Sequence, residues 1–211
     1  MINFRTTRYA SLNEARWKHF LSMGIELAGK RLFEPGAGVG DQTQWLLAQG
    51  ASHIYVNDGR PENLEYIQKR FEGDSRLTFV LGELEKSLDE PRFQFQVDFI
   101  YCYGVYYHLN ESLEDMNIMR KLSRIGPTIA FDFLVGNNKP AFYDYDNPST
   151  SLSQWGIRPE TGTLMRKLKE VWGHAYLPKE QLPWKDPENS EPRLIGLASR
   201  VPLDNPNLIA Q

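Results

Sequence analysis

Apolar and polar positions follow two different patterns along the chain. Short stretches such as 77–81, 97–103 and 128–135 are almost continuously apolar, which is typical of parallel strands that are covered on both faces. The segments between them have helical periodicity and are bounded by glycine or proline. Because strands alternate with helices, the chain is predicted to form right-handed βαβ units and a doubly wound α/β sheet.

The pattern predicts seven strands and five helices. The predicted strands are 31–34, 52–57, 77–81, 97–103, 128–135, 174–177 and 193–199, and the predicted helices are 11–27, 41–48, 61–71, 112–123 and 162–171. The first helix is placed at 11–27 because Ser11 and Glu14 have the spacing of a capping box. The tail after residue 200 shows little pattern and is expected to be irregular.

Residues 136–160 interrupt the alternation with a long polar and aromatic connection. A connection of this length is usually a functional lid or a disordered segment, and we predict a substrate or lid loop. Its aromatic rings and acids suit a polar organic acceptor such as a sugar, and they equally suit the packing of a long loop. The residues concerned are Phe142, Tyr143, Asp144, Tyr145, Asp146, Trp155 and Arg158.

Composition narrows the classes of function. The chain has 211 residues, a length that suits one domain, expected to span 1–211. A net charge of −3 gives no general affinity for nucleic acid. With Cys102 as its one cysteine, the chain can form no intrachain disulfide and no cysteine cluster for zinc. No signal peptide or bilayer-spanning run is evident, and we expect a cytoplasmic protein without a metal.

The segment 31–40, RLFEPGAGVG, carries the main chemical signal. A strand ends in an acid, and a glycine-rich turn leads into a helix, so the backbone can approach a ligand closely. A dinucleotide would place its pyrophosphate here, but Glu34 and Asp41 would repel it. S-adenosylmethionine carries an ammonium and a sulfonium group, which acids suit. Glycines at such a turn can also be purely structural.

Two further acids follow the next two strands. Asp58 stands about 20 residues beyond the glycine turn, where a carboxylate accepts hydrogen bonds from ribose hydroxyls. Glu83 follows the third strand and is a candidate acceptor for the adenine amino group. The carboxyl ends of parallel strands share one edge, where open α/β sheets bind ligands. Asp58 is alternatively a turn cap, and Glu83 a solvated loop acid.

Together these residues resemble the class I S-adenosylmethionine-dependent methyltransferase family, over roughly residues 13–134. Segment 34–40 is similar to the family's first motif, Asp58 to its ribose-binding acid, Gly82-Glu83 to its adenine-side acid, and 98–109 to its fourth-strand motif. The family more often has aspartate at the position of Glu83. The resemblance implies a mostly parallel seven-stranded sheet with a reversed hairpin at one edge. The cofactor residues it implies are Glu34, Gly36, Ala37, Gly38, Gly40, Asp58, Gly59, Gly82, Glu83, Leu84 and Tyr103.

The segment after the fourth strand leaves the sheet at the edge where a reaction site is expected. His108 is the candidate general base, because an imidazole titrates near neutrality, or else a structural histidine that holds the loop. Tyr106 and Tyr107 are candidates for the wall of the acceptor site, or for the core. Asp132 interrupts the apolar fifth strand. A buried carboxylate needs a partner, so Asp132 is either a site residue or a satisfied structural acid.

The predicted function is methyl transfer from S-adenosylmethionine to a small polar organic acceptor, a hydroxyl of a sugar or natural product. The segment from Trp155 to Pro183, together with the tail from Ala198 to Pro206, resembles small sugar or glycoconjugate O-methyltransferases. Transfer to an amine, a protein or a nucleic acid and a non-catalytic cofactor-binding role stay as alternatives. The expected partner is a small-molecule substrate, without nucleic acid or membrane, and a homodimer stays open.

Overall fold

A computed structural model describes residues 6–142, 152, 155–182 and 192–211. The helices are α1 Thr7–Ser22, α2 Asp41–Ala48, α3 Pro61–Arg70, α4 Leu84–Ser87, α5 Asn117–Ile125 and α6 Thr161–Trp172. The strands are β1 Arg31–Glu34, β2 His53–Asp58, β3 Leu77–Leu81, β4 Phe99–Cys102, β5 Thr128–Leu134, β6 Lys139–Phe142, β7 Trp155–Arg158, β8 His174–Pro178, β9 Arg193–Ser199 and β10 Leu208–Ala210. Short 3₁₀ turns cover Pro91–Phe93 and Tyr106–His108.

The main sheet has the strand order β10-β8-β9-β5-β4-β1-β2-β3. Strands β5, β4, β1, β2 and β3 are mutually parallel, whereas β9 runs antiparallel to both β5 and β8. The predicted doubly wound sheet with a reversed edge hairpin is therefore confirmed. Eight strands are present instead of the predicted seven, because β10 in the tail pairs antiparallel with β8.

The two faces of the sheet pack against different sets of helices. Along β4, Ile100 and Cys102 face a core that includes α5 and α6, while Phe99 and Tyr101 face one that includes α1 and α2. Successive residues of a strand point to opposite faces, which explains why the strand is apolar throughout. Both faces are covered, as the continuous apolar runs predicted.

The first helix begins earlier than the capping-box spacing predicted. Thr6 is the N-cap, and its hydroxyl accepts a hydrogen bond from the Tyr9 backbone N–H at 3.2 Å. Ser11 lies inside the helix, where its hydroxyl donates to the Arg8 carbonyl. The helix ends at Ser22, and Gly24 follows with φ of +68°, so the predicted end at 27 was also wrong.

The start of α5 was also predicted wrongly, at 112 rather than at Asn117. The reason is a buried acid, Glu111, whose carboxylate accepts the backbone N–H groups of Ile118 and Met119 at 3.1 and 3.0 Å. Met116 just before the helix has φ of +50°, so the backbone cannot be helical through it. Glu111 supplies the hydrogen bonds that the first turn of a helix lacks.

The segment predicted as a lid, 136–160, is only partly described. Strands β6 and β7 form a small antiparallel sheet of their own within it. Residues 143–151 and 153–154, including Tyr143, Asp144, Tyr145 and Asp146, lie outside the described residues. Within the part that is described, no helix combines the length and the apolar composition needed to cross a bilayer.

A pair of single substitutions tests the position of the α1 cap. Thr6→Ala should lower the free energy of unfolding by about 1 kcal/mol, because the first turn loses its side-chain acceptor. Ser11→Ala should change it by no more than a few tenths of a kcal/mol, since an exposed helical site favours alanine. Urea titration of both variants provides the measurement, and a larger loss for Ser11→Ala than for Thr6→Ala would contradict the observed cap.

Candidate functional site: a cofactor pocket at the carboxyl edge of the sheet

The glycine turn between β1 and α2 forms one wall of a pocket. Gly36, Gly38 and Gly40 have φ of +66°, +61° and +81°, a region that glycine adopts without the penalty of other residues. A Cβ at Gly36 would lie 2.3 Å from Val105 Cγ2, so the turn packs directly on the loop after β4. The Ala37 N–H donates to the Asn57 carbonyl at 2.9 Å and ties the turn to β2.

Glu34 at the end of β1 lies behind this wall, not in the lining of the pocket. Its side chain is 2% exposed and accepts a hydrogen bond from the Thr43 hydroxyl at 2.7 Å. The other carboxylate oxygen, Oε1, has no hydrogen-bond partner among the described residues. Burial raises the pKa of Glu34 to about 8, so Glu34 is mostly protonated at neutral pH and adds little negative charge to the turn.

Asp58 at the end of β2 does line the pocket. One oxygen accepts from the Arg60 N–H at 2.9 Å and from Asn63 Nδ2 at 3.2 Å, while the other accepts from the Gly38 N–H at 2.8 Å. A carboxylate offers about four lone-pair sites, and these three donors leave one for a ligand hydroxyl. Asp58 therefore holds the glycine turn in place and also faces the ligand space.

The end of the pocket near β3 is formed by Gly59, Gly82, Glu83, Leu84 and Leu152. A Cβ at Gly59 would lie 2.2 Å from Leu152 Cδ1 and 3.3 Å from Glu83 Cγ, so these residues converge closely. The Glu83 carboxylate forms an ion pair with Lys86 at 2.6 Å. The pair is partly exposed, and such pairs are weak, so Glu83 can still accept a hydrogen bond from a ligand.

The loop after β4 places its predicted residues in three different environments. Tyr103 and His108 line the pocket. The Tyr106 side chain is fully buried in the core, with its ring centroid 5.1 Å from that of Phe131. The Tyr107 ring lies beneath the Arg193 guanidinium, 4.6 Å away. A 3₁₀ turn has three residues per turn, which sends three consecutive side chains in three directions.

Two consequences follow for the predicted catalytic residues. His108 is the one of the three that borders the pocket, so catalytic roles for Tyr106 and Tyr107 gain no support from their positions. Burial, together with the nearby positive charges of Arg158 and Arg193, lowers the pKa of His108 to about 3. The imidazole is therefore neutral in the free protein at physiological pH, and it can accept a proton.

Helix α1 covers the opposite side of the pocket with Tyr9, Asn13 and Arg16. Gln42 holds the helix there, because its amide accepts from Trp17 Nε1 at 2.7 Å and donates to Asn13 Oδ1 at 2.8 Å. Sequence analysis missed these residues. Their spacing, 9, 13 and 16, places polar side chains on one face of a helix, which was the available signal.

Asp132 on β5 is fully buried. Its carboxylate accepts hydrogen bonds from two guanidinium groups and from one backbone N–H. Arg16 Nη2 donates at 2.6 Å, the Gly104 N–H donates at 2.6 Å, and Arg193 Nη1 forms a very short contact. Although burial alone would raise the pKa of Asp132, the two guanidinium groups lower it to about 2. Of the two sequence interpretations, that of a satisfied structural acid is the one the geometry supports.

The described residues include no group of three or more histidine, cysteine or carboxylate side chains placed to hold a metal ion. The pocket, together with the open solvent at its mouth, encloses about 1010 Å³.

Comparison with known proteins places this pocket in context. Residues 33–126 match a family model described as a methyltransferase domain. No curated protein matches the chain by sequence. The N-terminal domain of EvdMO1, crystallised in the presence of SAH and D-fucose, has a TM-score of 0.68 and 16% identity, with 89% of this chain and 82% of that chain covered.

Two other solved structures share the fold. An S-adenosylmethionine-dependent methyltransferase from Mesorhizobium loti has a TM-score of 0.65 and 16% identity, covering 90% of this chain and 100% of that chain. The 1,6-didemethyltoxoflavin-N1-methyltransferase of Burkholderia thailandensis, with bound 1,6-didemethyltoxoflavin and S-adenosylhomocysteine, has a TM-score of 0.63 and 15% identity, covering 90% and 78%.

The matched segment begins within β1 and ends just after α5, so it includes the glycine turn, Asp58, Glu83 and His108. The match over residues 33–126 and the shared fold agree with the predicted methyltransferase class. Residues 33–126 are therefore similar to a methyltransferase domain, and the chain has the fold of the class I S-adenosylmethionine-dependent methyltransferases.

Proposed function

We propose that this chain transfers the methyl group of S-adenosylmethionine to a small polar organic acceptor, a hydroxyl of a sugar or natural product. The observation that supports this proposal most strongly is that the glycine turn, Asp58 and Glu83 border the same pocket as His108. That arrangement combines a candidate cofactor site and a candidate proton acceptor in one space.

The residues present fit the cofactor. Asp58 has one free lone pair for a ribose hydroxyl, and Glu83 with Leu84 borders the space for the adenine. The Gly36–Gly38 backbone and Tyr103 are placed for the methionine portion. When bound, the cofactor supplies a sulfonium-activated methyl group, and the pocket aligns the acceptor with it, which accounts for much of the rate.

His108 is proposed to accept the proton from the acceptor hydroxyl as the oxygen–carbon bond forms. It is neutral in the free protein and can take up a proton, although its lowered pKa makes it a weak base there. An amine is the second candidate acceptor, because one neighbour of the same fold is an N1-methyltransferase. The acidic net charge of −3 supports a small molecule over a nucleic acid.

Asp58→Ala should weaken binding of S-adenosylhomocysteine at least tenfold, about 1.4 kcal/mol. The variant loses a ribose contact and also the acceptor that holds the Gly38 N–H. Isothermal titration calorimetry gives the affinities, with Asp74→Ala as a matched control, because Asp74 is an acid on a distant loop whose side chain contacts Arg76. Failure of the folded wild-type protein to bind the cofactor, or binding of NAD in its place, would contradict the proposal.

His108→Asn should lower kcat for a hydroxyl acceptor about 100-fold or more while leaving the affinity for S-adenosylhomocysteine within twofold. Because the pKa of His108 is lowered to about 3, the imidazole stays unprotonated from pH 5 upwards. Protonation of His108 should therefore not lower the wild-type kcat/KM between pH 7 and pH 5. A fall in that range that is absent in His108→Asn would contradict this expectation.

The matched control for this experiment is His53→Asn. His53 begins β2 at the far edge of the sheet and contacts Thr78. Equal activity of His108→Asn and the wild type would show that His108 is structural.

A further inference from the structure

The charged residues around the pocket are unevenly distributed between its two ends. Asp58, Glu83 and Glu85 lie at the β2–β3 end, accompanied there by Arg60. Arg16 and Arg193 meet at the other end on Asp132 of β5. Strands β1 and β4 lie between the two ends. The end of the pocket at β5 and β9 therefore lies on the other side of β1 and β4 from Asp58 and Glu83.

The end of the pocket at Arg16, Arg193 and Asp132, here called the basic end, carries more positive than negative charge. Arg16 and Arg193 are 2% and 8% exposed in their side chains, and both pair with the single carboxylate of Asp132. Two guanidinium groups and one carboxylate leave one positive charge. The Nε atoms of both arginines are buried without a hydrogen-bond partner among the described residues. A buried excess charge is costly unless a further group offsets it.

This positive charge reaches the ligand space. Arg16, Tyr9 and His108 line the pocket. Arg158, whose guanidinium donates to the Tyr107 carbonyl at 3.1 Å, adds to the same field, and Arg158 and Arg193 both lower the pKa of His108. The field at the imidazole therefore favours a negatively charged neighbour.

We propose that the methyl acceptor carries an anionic oxygen group, a carboxylate or a phosphate, which binds against Arg16 at the basic end of the pocket. Arg193 and Arg158 lie behind the pocket lining there and add to the positive field. The inference rests on the proposed methyl transfer and specifies its substrate class. A planar guanidinium matches both anions through paired N–H donors. The anion would offset the excess charge of the cluster.

A bound anion would also improve His108 as a base. The arginines oppose protonation of the imidazole, and a negative group between them and the ring reduces that opposition. The acceptor's charged group would then be separate from the hydroxyl that is methylated, and it would position that hydroxyl against His108.

Binding to the S-adenosylhomocysteine-saturated protein tests this inference. The probes are two matched sets: glucose, glucuronate and glucose 6-phosphate, and phenol, 4-hydroxybenzoate and 4-hydroxyphenyl phosphate. We expect at least one anion to bind ten or more times more tightly than the neutral member of its set, and the carboxylate and phosphate arms distinguish the two anions. If no anion exceeds its neutral counterpart tenfold, the inference is wrong.

Arg193→Gln removes one positive charge from the basic end and leaves Asp132 paired with Arg16, so the variant should fold, which circular dichroism checks. It should lose the anion preference at least tenfold, while the charge-conserving control Arg193→Lys should keep most of it. An unchanged preference in Arg193→Gln would overturn the inference.

The cofactor's own carboxylate is the competing occupant of the basic end. Comparing the affinities for S-adenosylhomocysteine and 5′-methylthioadenosine, which lacks the amino acid, distinguishes the two. We expect their ratio to be the same in the wild type and Arg193→Gln. If Arg193→Gln weakens only S-adenosylhomocysteine, the basic end binds the cofactor and the inference is wrong. Absence of S-adenosylhomocysteine binding in the wild type would instead refute the proposed function itself.

Discussion

The architecture of the site depends on the carboxylate of Asp132. It is fully buried in β5 and joins α1 through Arg16, β9 through Arg193 and the loop after β4 through the Gly104 N–H. Removing one partner of such a buried pair typically costs about 3–5 kcal/mol, because the remaining charge has no solvent to stabilise it. One side chain therefore sets the positions of three elements around the pocket.

The contact of Gly104 with Asp132 and Arg16 restricts the conformation of the loop after β4. Gly104 has φ of +82°, and a Cβ there would lie 3.4 Å from Arg16 Nη2. The positive φ, and not the distance to the guanidinium, is what other residues could adopt only with strain. The same contact directs His108 towards the pocket, beside the arginines that keep it neutral. The packing of this loop and the proton affinity of His108 are linked through this one cluster.

Sequence reasoning succeeded where a local pattern determines position. The glycine turn requires left-handed backbone, and Asp58 ends a strand whose carboxyl edge must face the ligand. It was less successful with Glu34 and Tyr106. Each stands at the expected place in the chain, but the direction of its side chain depends on packing. The Glu34 side chain lies under α2, and the Tyr106 side chain lies in the core. The cap of α1 was missed because two hydroxyls, Thr6 and Ser11, both had plausible positions.

The sequence by itself determined the alternation of strands and helices, the glycine turn after β1 and the acid at the end of β2, because these depend on periodicity and on short-range backbone geometry. Only the tertiary structure decided that Tyr9, Asn13 and Arg16 belong to the pocket and that Asp132 is structural. Those facts depend on contacts between residues up to 116 positions apart, and no local pattern encodes which distant side chain will share a buried charge.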